Sequence, residues 1–185
     1  GVVANKKFAS ALAFTGDENG DGRDEIIVGS YKADHVIRDV GGKILKIVRN
    51  VGSVKVISPI QNNKVLLELY GMRSGDYFGY SVLRVGDQNG DGVEDFAVGA
   101  PGADYRLAKP FRANAGTVTV FSGADGSVLF TQYGATAGEQ FGFSMSAVGD
   151  LDKQVAGDGV THADILVGAP RATVQAVVGE KIKNA

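Results

Sequence analysis

GDYFGYSVLRVGDQNGDGVEDFAVGAP, residues 75–101, is the stretch on which the reading of this chain turns. A Phe-Gly pair, Phe78-Gly79, leads into a short apolar strand. An acidic, Gly-rich loop follows, then a second apolar run, Phe96-Ala97-Val98, which ends on Gly99-Ala100-Pro101. Counted from Asp87, the loop places oxygen-bearing side chains at positions one, three, five and nine (Asp87, Asn89, Asp91, Asp95) and Gly92 at position six. Donors at alternate positions converge on one point only if the backbone curls sharply, and a residue without Cβ permits that curl. Hard oxygen donors, in a chain with no Cys and no paired His, favour calcium over zinc or copper, and flexible carboxylate-plus-carbonyl coordination favours it over magnesium. The other reading is an Asx-rich turn that closes on itself without metal. Repulsion between its clustered carboxylates stands against that.

The same loop occurs earlier as GDENGDGRDEIIVGS, residues 16–30, with Asp17, Asn19, Asp21 and Glu25 at the matching positions and Gly22 at position six. An EF-hand would place a bidentate Glu at position twelve and flank the loop with helices. Position twelve is Val28 in one loop and Val98 in the other, and each loop runs into a β-branched or aromatic apolar run that reads as a buried strand. The EF-hand is therefore excluded. Glu25 and Asp95 supply the last acidic donor. The extra methylene of Glu25, and Asp24 beside it as a competing ligand, make the first site the weaker of the two in this reading.

Working outward, the segments between the loops repeat as well. GSVKVIS (52–58) matches GTVTVFS (116–122), KVLLELYG (64–71) matches SVLFTQYG (127–134), and GDYFGYSVLRVGD (75–87) matches GEQFGFSMSAVGD (138–150). The chain thus holds three copies of one unit, spanning about 8–71, 78–134 and 141–185, the last incomplete, with a third strand expected over 172–178. Four short strands joined by Gly-rich turns in each copy predict an all-β chain, a partial β-propeller of about three four-stranded antiparallel blades. Propellers need about four to eight blades to close. Three leave open edges, with apolar residues such as Leu12 and Phe14 at one end and Val174 and Val178 at the other; the expectation is that the chain is part of a longer propeller or else that copies self-associate through those edges.

The paired motifs Phe78-Gly79 with Gly99-Ala100-Pro101, and Phe141-Gly142 with Gly168-Ala169-Pro170, resemble the FG-GAP repeats of the integrin α-subunit head and related bacterial surface proteins. The first unit is worn, with Phe8-Ala9 and Gly29-Ser30-Tyr31 in those places. The resemblance implies that each repeat is one blade and that the acidic loop joins its first and second strands and binds calcium. By position it implies a first ligand set of Asp17, Asn19, Asp21, the carbonyl of Arg23, and Glu25. The second set is Asp87, Asn89, Asp91, the carbonyl of Val93, and Asp95. In the third loop, GDLDKQVAGDGVTHADILVGAP, Asp150, Asp152, Asp158 and Asp164 form a weaker third set, because an insertion breaks their alternation.

Composition excludes other classes. The chain has 185 residues, 44% of them hydrophobic and 22% charged, which is ordinary globular material. Its net charge of −2 and lack of a basic stripe give no reason to expect nucleic acid. No apolar stretch approaches the roughly 20 residues of a membrane span. The nucleophile elbow, the zinc-protease His pair and the phosphate-cradling loop are all missing, so no catalytic residue is assigned and the chain reads as a non-enzyme. His35 and His162 read as exposed loop residues, and Gly102 to Ala115 as a solvated insertion. Calcium that pins strand-end loops suits a compartment where calcium is permanently high: extracellular, cell-surface or periplasmic. The expected role is an adhesion or interaction module with a protein or glycan ligand. The alternative is the propeller domain of a larger secreted hydrolase or lyase, such as a phospholipase or a polysaccharide-active enzyme.

Overall fold

A computed structural model describes residues 7–17, 19–107, 109–149 and 163–172, and among these every regular element is a β-strand. Strands β1 (Ala11–Phe14) and β2 (Ile26–Ser30) flank the first acidic loop. A projecting hairpin of β3 (His35–Arg38) and β4 (Ile44–Val48) separates them from β5 (Ser53–Ser58) and β6 (Lys64–Tyr70). The second unit runs β7 (Ser81–Gly86), β8 (Asp95–Ala100), β9 (Thr117–Phe121) and β10 (Val128–Tyr133). β11 (Ser144–Ala147) and β12 (Ile165–Gly168) open the third.

Each full unit is an antiparallel meander, β1-β2-β5-β6 in one sheet and β7-β8-β9-β10 in the other. The register places Ala11 opposite Gly29 and, in the equivalent pair, Ser81 opposite Gly99. First strands β1, β7 and β11 lie side by side, so the sheets fan out from a common edge as blades do. The sheets are unclosed, and the architecture is a partial β-propeller. Units drawn in the sequence as 8–71 and 78–134 each contain one four-stranded sheet. The strand expected over 172–178 lies outside the described residues, apart from Ala172.

Strand periodicity explains the packing. Side chains on β8 alternate in direction, so Phe96, Val98 and Ala100 join Ile27, Val54 and Val56 in the core between the first and second blades. Ala97 faces the other way, with Val85, Val118 and Val120, against Met145, Ile165 and Val167 of the third. All six residues of β8 are buried. Among the described residues the outer face of the first blade has no such cover: Phe8, Leu12 and Phe14 are 70%, 62% and 67% exposed.

The Phe-Gly motif is the joint between blades. Phe78 bridges Gly52 of the preceding blade and Phe141 bridges Gly116, both in parallel sense. A Cβ on Gly29 would lie 2.3 Å from the carbonyl oxygen of Gly79, and one on Gly99 would lie 2.2 Å from that of Gly142. The Gly that ends the second strand of one blade is therefore required by the Phe-Gly turn of the next, whose own Gly79 and Gly142 hold φ of +79° and +85°. Ser81 reinforces the second joint by donating from Oγ to the Gly142 carbonyl at 2.7 Å.

One expectation needs correction. His35 is not an exposed loop residue: it lies half-buried in β3, its ring stacked on Tyr70 at 4.0 Å between centroids. The insertion from Gly102 to Ala115 folds back on itself through the Tyr105–Arg112 bridge, with the Arg112 guanidinium 3.8 Å from the centre of the Tyr105 ring. His162 lies outside the described residues.

Candidate metal centre

In the first blade the loop between β1 and β2 is closed at its base by two backbone bonds, Thr15 N–H to the Glu25 carbonyl (2.9 Å) and Glu25 N–H to the Gly16 carbonyl (3.3 Å). Above that base the chain winds around Asp17. Its Oδ1 accepts the Asp21 N–H at 2.9 Å, and its Oδ2 accepts the Gly22 N–H at 2.7 Å. Gly22, at φ +86°, makes the reversal, and no atom lies within 4 Å of the space a Cβ would fill, so backbone conformation and not crowding selects glycine. Asn19 Oδ1 accepts the Asp21 N–H at 3.0 Å, and its amide donates to Glu25 Oε1. Asp21 in turn accepts the Arg23 N–H at 3.2 Å.

These bonds turn the side chains inward. Oxygens of Asp17, Asp21 and Glu25 lie within 4.8 Å of one another, and Glu25 is fully buried. Among the described residues this is the one group of three potential metal-ligating side chains that meets so closely. Three carboxylates at that separation repel strongly in a partly buried site unless a cation neutralises them. The donor set is oxygen throughout, which fits a hard divalent cation and calcium in particular.

The second loop repeats the template. Asp87 Oδ1 accepts the Gly90 and Asp91 N–H groups at 2.8 and 3.2 Å, and Oδ2 accepts the Gly92 N–H at 2.8 Å. Asn89 Oδ1 accepts the Asp91 N–H at 3.0 Å, and Asp91 Oδ1 the Val93 N–H at 2.8 Å. Asp95 is fully buried, but its two oxygens are held apart from the loop centre by the N–H groups of Gln88 (2.6 Å) and Gly123 (3.0 Å).

The two aspartates titrate in opposite directions. Desolvation pulls the Asp87 carboxyl upward, but the backbone N–H groups of Gly92, Gly90, Asp91 and Asn89 outweigh it and hold the group below the ordinary range. Burial pushes Asp95 above it, the Gly123 and Gln88 N–H groups oppose the shift, and the negative charges of Asp91 and Asp87 add to it.

The sequence reading did not single out Ser58, Gln61 and Ser122. Ser58 Oγ and Gln61 Nε2 donate to Asp21 Oδ2 at 3.1 and 3.3 Å, and Ser122 Oγ stands 3.4 Å from Asp91 Oδ2. Both serines end matching stretches, VKVIS and VTVFS, and so brace the position-five aspartate of each loop from the third strand of its blade. That recurrence was the available signal. Of the third set, Asp150, Asp152 and Asp158 lie outside the described residues. Asp164 accepts the Val148 N–H at its carbonyl (3.1 Å) and donates to the Gly149 carbonyl (2.8 Å), the same closing pair that Glu25 makes. Asp24 is exposed and stands outside the carboxylate trio.

Residues 78–121 match the FG-GAP repeat. The chain is 32% identical over 179 residues to integrin alpha-PS2 of Drosophila melanogaster, covering 88% of this chain and 11% of that protein. It is 28% identical over 177 residues to integrin alpha-3 of Mus musculus, covering 91% and 14%. Integrin alpha-V of Gallus gallus is 35% identical over 94 residues, covering 51% and 8%. The chain thus spans only a small part of the length of each relative.

Proposed function

From the premise that residues 78–121 are an FG-GAP repeat, flanked by units that share its joints, we propose that this chain is a calcium-stabilised, non-catalytic section of a propeller that recognises a partner outside the cell. The observation that carries the reading is the meeting of Asp17, Asp21 and Glu25 within 4.8 Å, in a loop whose template recurs at the same place in the second blade. Asn19 and the carbonyl of Arg23 complete the first ligand set, and Asp87, Asn89, Asp91, the carbonyl of Val93 and Asp95 form the second. Asp164 stands ready in the third loop. Calcium in these loops ties the first strand of each blade to the second and neutralises carboxylates that otherwise repel.

The integrin relatives are what points to adhesion and to an extracellular or cell-surface setting. No helix among the described residues is long and apolar enough to cross a membrane. Titration calorimetry with calcium and with magnesium tests the metal reading. Calcium uptake at two sites, one of them lost in Asp21→Ala and the other in Asp91→Ala, is the expected outcome. No uptake at millimolar calcium defeats it.

A further inference from the structure

The β3–β4 hairpin is a longer form of the Tyr105–Arg112 fold-back in the second blade, and its surroundings differ in a way that the repeat makes measurable. Asp34 Oδ1 accepts the Asn50 N–H at 2.8 Å as Asp104 Oδ1 accepts the Asn114 N–H at 2.8 Å, so the bases of the two insertions correspond although the first is longer. His35 then stands where Tyr105 stands, Val48 where Arg112 stands, and Met72 where Ala135 stands. In the second blade Arg112 closes the space below its insertion, lying over Tyr105 and donating from Nη1 to the Ala135 carbonyl at 2.8 Å. Val48 cannot reach that far. A groove of about 480 Å³ remains open between the hairpin and β6, with Ile37, Val48, Leu69 and Met72 as its apolar lining and Lys46 and the Lys55-paired Glu68 at its wall.

The hairpin itself is apolar and basic at once. Ile44, Leu45 and Ile47 are 46%, 63% and 43% exposed, and Val40 at the turn is wholly exposed. Lys43, Lys46 and Arg49 form no ion pair with a described residue. The acids nearby are occupied. Asp39 accepts the Gly41 and Lys43 N–H groups in the turn, Asp34 caps Asn50, and Glu68 takes Lys55 at 2.7 Å and the Tyr70 hydroxyl at 2.6 Å. Backbone bonds leave Asp34 and Asp39 charged, but Arg38, Lys43, Lys46 and Arg49 outnumber them, so the balance is positive, beside exposed apolar area that single scattered residues do not produce.

We infer that the β3–β4 hairpin and the groove beneath it form a docking surface for a segment of a partner protein that is both acidic and apolar. Charge complementarity selects the acid, and the concave lining takes the apolar side chains. A bilayer fits less well. The apolar residues lie on both faces of the hairpin: Val36 pairs with Ile47 on one, while Ile37, opposite Lys46, and Val48, opposite His35, lie on the other, and the turn that would enter the lipid carries Asp39. The inference gives a chemistry to the recognition role proposed above and does not involve the calcium loops.

The test is selection from a random displayed-peptide library on the calcium-loaded chain, followed by affinity measurements with the enriched peptides. Enrichment of sequences that combine Asp or Glu with Ile, Leu, Val or Phe is expected. Their binding should weaken with salt and fall by about tenfold or more in Lys43→Glu/Lys46→Glu, while Leu45→Ser weakens them through lost apolar contact. Calcium uptake measured on the same variants separates the two readings: peptide binding lost with calcium retained supports the surface, and calcium lost alone leaves it standing. The inference is overturned if nothing is enriched, if enriched peptides are basic or indifferent to the double reversal, or if vesicles of phosphatidylcholine and phosphatidylserine bind at the same lysines and peptides do not.

Discussion

The first and second acidic loops share a template, a base and a bracing serine, yet only one gathers its carboxylates. Glu25 and Asp95 are both fully buried and both enter the second strand of their blade. Glu25 reaches within 4.8 Å of Asp17 and Asp21, whereas Asp95 is captured by the Gln88 and Gly123 N–H groups. The two side chains differ by one methylene. The blades differ in packing in the opposite sense: β8 is buried along its whole length, while the first blade presents Leu12 and Phe14 to solvent. The better-gathered loop thus sits on the less supported sheet.

The largest expected effect tests the packing half of that contrast. Phe96, 1% exposed between two blades, should cost about 3–5 kcal/mol on replacement by Ala. Phe14→Ala, at a site 67% exposed, should stay within about 0.5 kcal/mol. Urea melts of the two variants check this, and equal losses would mean that the outer face of the first blade is covered in solution, for instance by a second copy.

Calcium removal comes next. A site whose Kd lies tenfold below free calcium stabilises the fold by about 1.4 kcal/mol, because the metal binds only the native state. Asp21→Ala and Asp91→Ala should each remove one such increment from the chelator-sensitive shift in melting temperature, and the double variant should be indifferent to chelator. If either single variant abolishes the whole shift, the loops are coupled and cannot be treated as two separate sites.

Much of this was legible in the sequence, because the repeat makes each blade an independent reading of the other. Strand order, the loop position and the Phe-Gly joints follow from matched stretches such as 75–87 and 138–150. What was not legible had no second copy. The β3–β4 hairpin replaces a simpler fold-back in the second blade, and its apolar residues alternate too briefly to mark strands by period alone. His35 looked solitary because its partner, Tyr70, lies 35 residues away along the chain and meets it only when the hairpin turns back over β6. The capture of Asp95 by Gly123 was likewise invisible, since it depends on a backbone N–H in the turn after β9.

Acidification should separate the loops by a smaller amount. With Asp21→Ala isolating the second site, calcium must displace the proton from Asp95, whose carboxyl lies above the ordinary range. For the metal-free fold the sign is clear. A carboxyl raised above its unfolded value costs stability in its charged form, so that cost is absent below the unfolded pKa and grows as pH rises through the folded one. Calcium offsets it only where Asp95 is ionised. The calcium-induced rise in melting temperature should therefore fade on acidification at a higher pH than an unshifted carboxylate would give. A rise that persists until ordinary carboxylates protonate would show that Asp95 is not a ligand.

The finest test exchanges the one methylene. If side-chain length decides whether position nine joins the cluster, Glu25→Asp should release the first loop into the pattern of the second, and Asp95→Glu should do the reverse. Calorimetry should then show the first site weakened and the second strengthened, each by several-fold in Kd and so by less than about 1.4 kcal/mol. The backbone supplies the mechanism and also the way the argument can fail. Asp95 in its present position satisfies the part-buried N–H groups of Gln88 and Gly123, and a Glu that moves inward leaves both without that acceptor. Such loss costs about 1–3 kcal/mol for an unsatisfied group. Asp95→Glu should accordingly strengthen calcium binding while lowering the melting temperature of the metal-free chain. A variant that binds calcium more tightly with no loss of metal-free stability would show that the two amides find other partners, and that the separation of the loops rests on something other than the capture of Asp95.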